Sequence, residues 1–241
     1  WARAILPGEP PCLPWCPLAT PRMSTIEEIV AAIPEADDID ISDKKLGDAG
    51  IRRIAAAVKA GTSATELYFD GNEVTDEGAA ALAEALESNE TLTQISLLQN
   101  RISNAGAARI AKALEKNAFV IEADLRDNQV GDEGAAAFAA ALKVNGTLKK
   151  LYLKDNVISD DGAKALADAC KKNTELKQLD LEANSIGKDG VSALLEVAEA
   201  TKKEITCGYQ NSGLRATGYG KPGTEKDVLD SASSGMVFAS R

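Results

Sequence analysis

Asn72, Asn100, Asn128, Asn156 and Asn184 recur every 28 residues, and Gly50, Gly78, Gly106, Gly134, Gly162 and Gly190 keep the same period in register with them. A spacing of this kind restricts the chain to an array of one repeated supersecondary unit, in which each copy buries its apolar side against its neighbours. Ahead of each Asn stands an apolar-x-apolar pair: Leu67 and Phe69, Ile95 and Leu97, Ala123 and Leu125, Leu151 and Leu153, Leu179 and Leu181. That alternation predicts a short strand with one buried face. The first unit has Ile39 and Ile41 but puts Lys44 where the Asn belongs, as an atypical terminal copy would.

Three residues beyond each Asn position comes Gly47, Thr75, Ser103, Gly131, Ser159 or Gly187, each an acceptable helix N-cap. The Gly-Ala-x-x-apolar-Ala-x-Ala-Leu theme that follows, clearest from Gly78 to Leu86 and Gly134 to Leu142, lays its apolar residues on one helical face. Its alanines allow neighbouring helices to approach closely. The recurrent Asn has a structural reason, because the turn after a short strand leaves backbone groups that a buried amide can satisfy, and an unsatisfied one costs about 1 to 3 kcal/mol. Asn72, Asn100, Asn128, Asn156 and Asn184 are therefore predicted to be a structural ladder. Asn89-Glu90-Thr91 and Asn145-Gly146-Thr147 match glycosylation sequons, yet both fall at the helix-to-strand junction and read as structural.

Over residues 36 to 200 these motifs resemble the leucine-rich-repeat family, in its 28-residue ribonuclease-inhibitor-like class, with the theme Leu-x-x-Leu-x-Leu-x-x-Asn-x-Ile followed by Gly-Ala and Ala-Leu. The resemblance implies an α/β fold: a curved solenoid of about six repeats, parallel sheet concave and helices convex. Thr25-Ile26-Glu27-Glu28 has the form of a capping box, so residues 23 to 35 are predicted to hold a helix that covers the first repeat. Residues 36 to 209 form the solenoid, with Ile205 to Tyr209 as a last capping strand. Residues 1 to 22 hold six of the eight prolines without periodicity and read as a disordered leader, with the functional chain beginning near Met23; residues 210 to 241, rich in Gly and Ser from Gly213, read as a flexible tail.

Composition narrows the chemistry. The chain has no histidine, which removes the commonest general base and metal ligand, and no Gly-rich phosphate loop. No enzyme, cofactor, metal site or small-molecule substrate is expected. The formal charge of −10 argues against nucleic acid and anionic membrane surfaces, and no apolar run suits a membrane span. Four irregularly spaced cysteines suggest a cytoplasmic or other reducing intracellular compartment, with residues 1 to 22 as a possible targeting remnant. Cys12 and Cys16 lack further ligands nearby; Cys170 fills a slot held elsewhere by Leu, and both it and Cys207 are predicted to point inward.

Side chains flanking the inward apolar pairs stand on the open face of the sheet in three columns. The first runs Asp38, Glu66, Gln94, Glu122, Lys150, Gln178; the second Asp40, Tyr68, Ser96, Asp124, Tyr152, Asp180; the third Ser42, Asp70, Leu98, Arg126, Lys154, Glu182. They predict a basic centre of Arg126, Lys150 and Lys154 in an acidic surround, with Tyr68, Tyr152 and Leu98 exposed. Tyr and Arg are frequent binding hot spots. Tyr68, Leu98, Asp124, Arg126, Lys150, Tyr152, Lys154 and Asp180 are accordingly the candidate protein-binding residues of a scaffold or adaptor. Two alternatives rest on resemblance. Ile205 to Gly213, followed by Leu214 and Arg215, is similar to the end of the repeat domain in tropomodulins and leiomodins, which implies actin-related binding, although Leu214 departs from that family's proline. Ran GTPase-activating proteins share the repeat class but have more repeats and a strongly acidic tail.

Overall fold

The computed structural model describes residues 25–208 and the backbone of Arg215–Thr217. The expectations for residues 1 to 22, for Met23 and for most of 210 to 241 lie outside the described residues. Helix α1 (Ile26–Ala32) opens on the predicted capping box, in which the Glu28 amide donates to the Thr25 hydroxyl and the Thr25 amide to the Glu28 carboxylate. A single 3-10 turn (Ile33–Glu35) follows, and Ile29 and Ile33 are buried at the start of the core.

Six strand–helix repeats come next: β1 (Asp38–Asp40) with α2 (Gly47–Ala60), β2 (Glu66–Tyr68) with α3 (Asp76–Leu86), and β3 (Gln94–Ser96) with α4 (Asn104–Lys116). They continue as β4 (Glu122–Asp124) with α5 (Asp132–Leu142), β5 (Lys150–Tyr152) with α6 (Asp160–Lys172), and β6 (Gln178–Leu181) with α7 (Lys188–Thr201). β7 (Glu204–Gly208) closes the parallel array, with strands ordered as in the sequence and Leu67 paired to Ile95, Ile95 to Ala123 and onward. β8 (Arg215–Thr217) then pairs antiparallel to β7. This corrects the expectation of a tail from residue 210, because the chain turns back and covers the otherwise open edge of β7.

The inward strand residues, Leu67 and Phe69 through Leu179 and Leu181, are fully buried against Leu82, Ile110, Phe138, Leu166 and Leu194 of the helices. The repeat with the small Ala123 in its strand carries the large Phe138 in its helix, so the repeat keeps its apolar volume.

Polar side chains that reach across repeats set the register. The Asn128 carbonyl accepts from the Ile102 amide of the preceding repeat, while its Nδ2 donates to Leu97, Leu125 and Arg126 carbonyls at 2.9 to 3.2 Å. Asn72, Asn100, Asn156 and Asn184 bind in the same manner. Each amide thus ties its own strand end to the repeat before it, which explains Lys44: no earlier repeat turn lies there to be tied. The residue just before each Asn, from Gly71 to Ala183, and Asp43 before Lys44 hold a left-handed φ of 52 to 64°. That conformation costs a non-glycine residue about 1 kcal/mol and persists because the amide fixes the turn.

A second ladder is built of carboxylates at the helix starts. Asp48 accepts from the amides of Thr75 and Gly78 and from the Thr75 hydroxyl, at 2.7 to 3.0 Å. Asp76 and Asp132 repeat this on Ser103 and Gly106, and on Ser159 and Gly162; Asp160 takes the amides of Gly187 and Gly190. Asn104 fills the slot before Gly131, where the next helix offers no hydroxyl. The N-terminus of each of these helices is therefore capped by an acidic or amide side chain from the helix before it, a charge-assisted arrangement where the carboxylate meets the positive end of the dipole. The predicted caps Thr75, Ser103, Gly131, Ser159 and Gly187 do occupy the N-cap positions, but the hydroxyls of the first, second and fourth donate to these carboxylates. Gly47 departs from prediction: it is the first residue of α2, with Leu46 as its cap. The same geometry accounts for the glycine ladder, since a Cβ at Gly78, Gly106, Gly162 or Gly190 would stand 2.6 Å from the carboxylate oxygen.

Two measurements follow from these ladders. Asn128→Ala strips partners from buried backbone groups of two repeats and should lower stability by roughly 2 to 4 kcal/mol, whereas Lys44→Ala should stay within about 0.5 kcal/mol; urea titrations giving equal midpoints would contradict the ladder. At Asp132 burial opposes the charge, but the Ser159 hydroxyl and the Ser159 and Gly162 amides outweigh it and hold the pKa below the usual carboxylate value. A depressed carboxyl contributes stability that is full above its unfolded pKa and lost as pH falls through the folded one. Asp132→Asn should therefore be less stable than the parent at pH 7, with the gap closing as pH falls below the ordinary carboxylate range. A gap independent of pH would show that the charge is idle.

Candidate functional site

Every second residue of β1 to β7 projects onto the open face, and the strand register sets Glu122 beside Lys150 and Asp124 beside Tyr152. The three cations meet in the centre of this face as the columns predict. Each, however, is already engaged. Asp124, buried, grips Arg126 through Nε at 2.8 and 2.9 Å and through Nη2. Lys150 Nζ lies 2.8 Å from Glu122, and Lys154 Nζ 2.9 Å from Glu182. Those hydrogen bonds are the leading reason that all three cations are held above their ordinary pKa values. The patch is thus an alternation of three cations and three carboxylates with no net formal charge. The columns already set Lys150 beside Glu122 and Lys154 beside Glu182, one repeat apart, whereas Asp124 and Arg126 pair within one strand's open face across neighbouring columns.

Tyr152 is the aromatic centre. The Arg126 guanidinium sits 5.5 Å from its ring centroid, a cation–π arrangement, and its hydroxyl donates to Gln178 Oε1 at 3.1 Å. Tyr68 donates its hydroxyl to Glu66, which raises its pKa well above the usual phenol value. Tyr68, Leu98 and Tyr152, expected to be exposed, are half-buried on this face. Asp180 accepts from the Thr206 hydroxyl of β7 at 2.6 Å. Asp70 accepts from Ser96; burial raises its pKa against that hydrogen bond, and Asp124 adds to the rise. The eight predicted residues therefore share one face, with Asp124, Arg126 and Tyr152 in direct mutual arrangement and Tyr68 two strands away from Asp124.

Cys170 and Cys207 are buried, and burial pushes their thiols up to about 11 and about 12, respectively. Such thiols are poor nucleophiles. Among the described residues no group of acidic or Cys side chains is placed to hold a metal ion, and no helix is long and apolar enough to cross a membrane.

A further ladder escaped the sequence reading. Asn117, Asn145 and Asn173 donate Nδ2 to carbonyls of the preceding repeat, to Leu86 and Asn89, Leu114 and Asn117, and Leu142 and Asn145. With Asn89 they share the 28-residue period, a signal present in the sequence but masked by the sequons at two of the four positions. Because its Nδ2 is buried and doubly engaged, Asn145 is a scaffold residue in this fold; Asn89 is likewise buried and holds the turn to Leu92.

Strand, turn and helix in a stacked 28-residue unit, with ladder asparagines between copies, define the class. The family profile described as Leucine Rich repeat matches residues 65–83, 117–139, 144–167 and 172–195, so these stretches are leucine-rich repeats. No curated protein matches its sequence at a significant level. The solved structure of Leiomodin-1 Actin-Binding Site 2 (ABS2) is similar, with a TM-score of 0.50 and 20% identity over 73% of this chain and 89% of that one. The tropomodulin C-terminal domain of Caenorhabditis elegans gives a TM-score of 0.49 and 12% identity over 73% of this chain and 93% of its own. The likeness to the leiomodin domain is one of fold.

Proposed function

We propose that this chain is a non-catalytic scaffold or adaptor that binds another protein on the open face of its sheet, through Tyr68, Leu98, Asp124, Arg126, Lys150, Tyr152, Lys154 and Asp180. The observation that carries the reading is the Asp124–Arg126–Tyr152 cluster, in which a buried carboxylate fixes a guanidinium beside an aromatic ring. Prepaid ordering of long side chains lowers the entropy loss on binding. Because the central cations are already neutralised, the partner fitted by this face offers a polar group able to share Arg126 with Asp124, plus apolar area for Tyr152 and Leu98. Strong dependence on bulk positive charge is not part of the reading. The absence of histidine from the chain supports a binding role over catalysis.

Affinity capture with the chain and with a Tyr152→Ala, Arg126→Glu variant tests it. Proteins held by the parent should fall at least about tenfold on the variant. Partners retained at full strength on a folded variant would remove the open face from consideration.

A second reading is actin-related binding. It is supported by the likeness in fold to a leiomodin domain described as an actin-binding site, and by the similarity of the Ile205 to Gly213 stretch, which leads from β7 toward β8. Co-sedimentation with filamentous actin and delayed polymerisation of monomers are the expected signs. A chain that stays in the supernatant and leaves polymerisation unchanged at micromolar concentrations contradicts it.

A further inference from the structure

Among the described residues, Phe119, Ile121, Val144 and Val157 are the exposed large apolar side chains, and the first three lie on one edge of the array, where helices run into strands. The Asn145 amide, next to Val144, donates to the Asn117 carbonyl, while Asn117 Oδ1 accepts from the Phe119 amide. The Ile121 carbonyl receives the amides of Lys149 and Lys150. Repeats four and five therefore bring Phe119, Ile121 and Val144 to a common patch at 41%, 37% and 65% exposure.

Nothing in the fold requires apolar residues there. The equivalent of Phe119 is Thr91, Thr147 or Glu175 in other repeats; that of Ile121 is Thr93, Lys149 or Lys177; that of Val144 is Ser88, Lys116 or Lys172. Three departures toward apolar side chains at one place point to something that covers them.

Lysines frame the same patch. Lys143, Lys149 and Lys172 are exposed and make no ion pair among the described residues, and Lys177 Nζ donates only to the Thr174 carbonyl. Lys116 and Lys171 are paired to Glu87 and Asp168, and Glu90, Glu115 and Glu175 also lie along this edge. In a chain of net charge −10 this edge is locally cationic. The backbone offers no open strand here, since the amides of Ile121, Lys149 and Lys177 are bonded to Thr93, Ile121 and Lys149. Recognition must run through side chains.

We propose that this edge of repeats four and five is a second docking surface, separate from the open face, for an acidic amphipathic segment of a partner protein. Its apolar side chains cover Phe119, Ile121 and Val144, and its carboxylates face Lys143, Lys149 and Lys172. A helix with anchors at i, i+3, i+4 and i+7 presents such a pattern. An anionic bilayer or a nucleic acid meets the whole acidic molecule and is repelled by it, whereas a short acidic segment meets only the local field.

The test uses the full chain and a fluorescent synthetic peptide of about 18 residues with Leu at those helical positions and Glu elsewhere, beside its shuffled isomer. The amphipathic peptide should bind, weaken with salt, and shift amide resonances of 117–121 and 143–149. Phe119→Ser with Ile121→Ser, and separately Lys149→Glu with Lys172→Glu, should each cut affinity about tenfold or more, while Tyr152→Ala leaves it unchanged. If the double Ser variant loses its helical circular dichroism, Val144→Ser replaces it, with the same loss expected. Equal binding of the shuffled peptide, resonance shifts elsewhere, or no binding overturns the proposal. So does attachment of the patch to phosphatidylserine vesicles in place of the peptide. Removal of residues 218–241 that moves the same resonances without peptide would show that the chain's own terminus covers the patch, which also overturns it.

Discussion

The array depends on side chains that hydrogen-bond to the backbone of a neighbouring repeat. Short strands of three to five residues supply few sheet hydrogen bonds of their own, and the turns that join them to helices expose amides and carbonyls inside the protein. Asn72 to Asn184 satisfy those groups at one edge, Asn117, Asn145 and Asn173 at the other, and the Asp48-to-Asp160 series does so at the helix starts. Remove a rung and two repeats lose partners together. This coupling between neighbours gives a one-dimensional array its cooperativity.

The same three ladders partition charge. Helix starts collect carboxylates because these cap the next helix, and first turns add Glu77, Glu133 and Asp161. The outer helical surface is laced by pairs such as Arg52 with Glu77, Arg53 with Glu27 and Lys116 with Glu87. Exposed pairs of this type contribute little stability but consume charge that would otherwise be free. Among the described residues Lys143, Lys149 and Lys172, near the helix ends of the middle repeats, make no ion pair.

The open face and the cationic edge differ in kind. On the open face, Asp124, Glu122 and Glu182 neutralise Arg126, Lys150 and Lys154, so geometry and the Tyr152 ring offer more to a partner than net charge does. At the edge, lysines without ion pairs among the described residues surround exposed Phe119 and Val144, and charge is the stronger lever.

The period of 28 residues determined the fold, since a repeated strand-and-helix pattern with buried Asn has one way to stack its apolar faces. The Asn ladder was legible for that reason, and the glycine ladder was visible though unexplained. The Asp series has the same period but is broken by Asn104 and Lys188, and its targets lie 27 to 30 residues away. Sequence spacing also placed all eight candidate residues on one face, because residues alternate across a strand. The period set Lys150 beside Glu122 and Lys154 beside Glu182, 28 residues apart in each case, and only tertiary structure decided that these neighbours close into ion pairs and that Asp124 grips Arg126 through both Nε and Nη2. Tertiary structure likewise decided that β8 pairs with β7, since an antiparallel return at the end of an array belongs to no repeat and leaves no periodic trace.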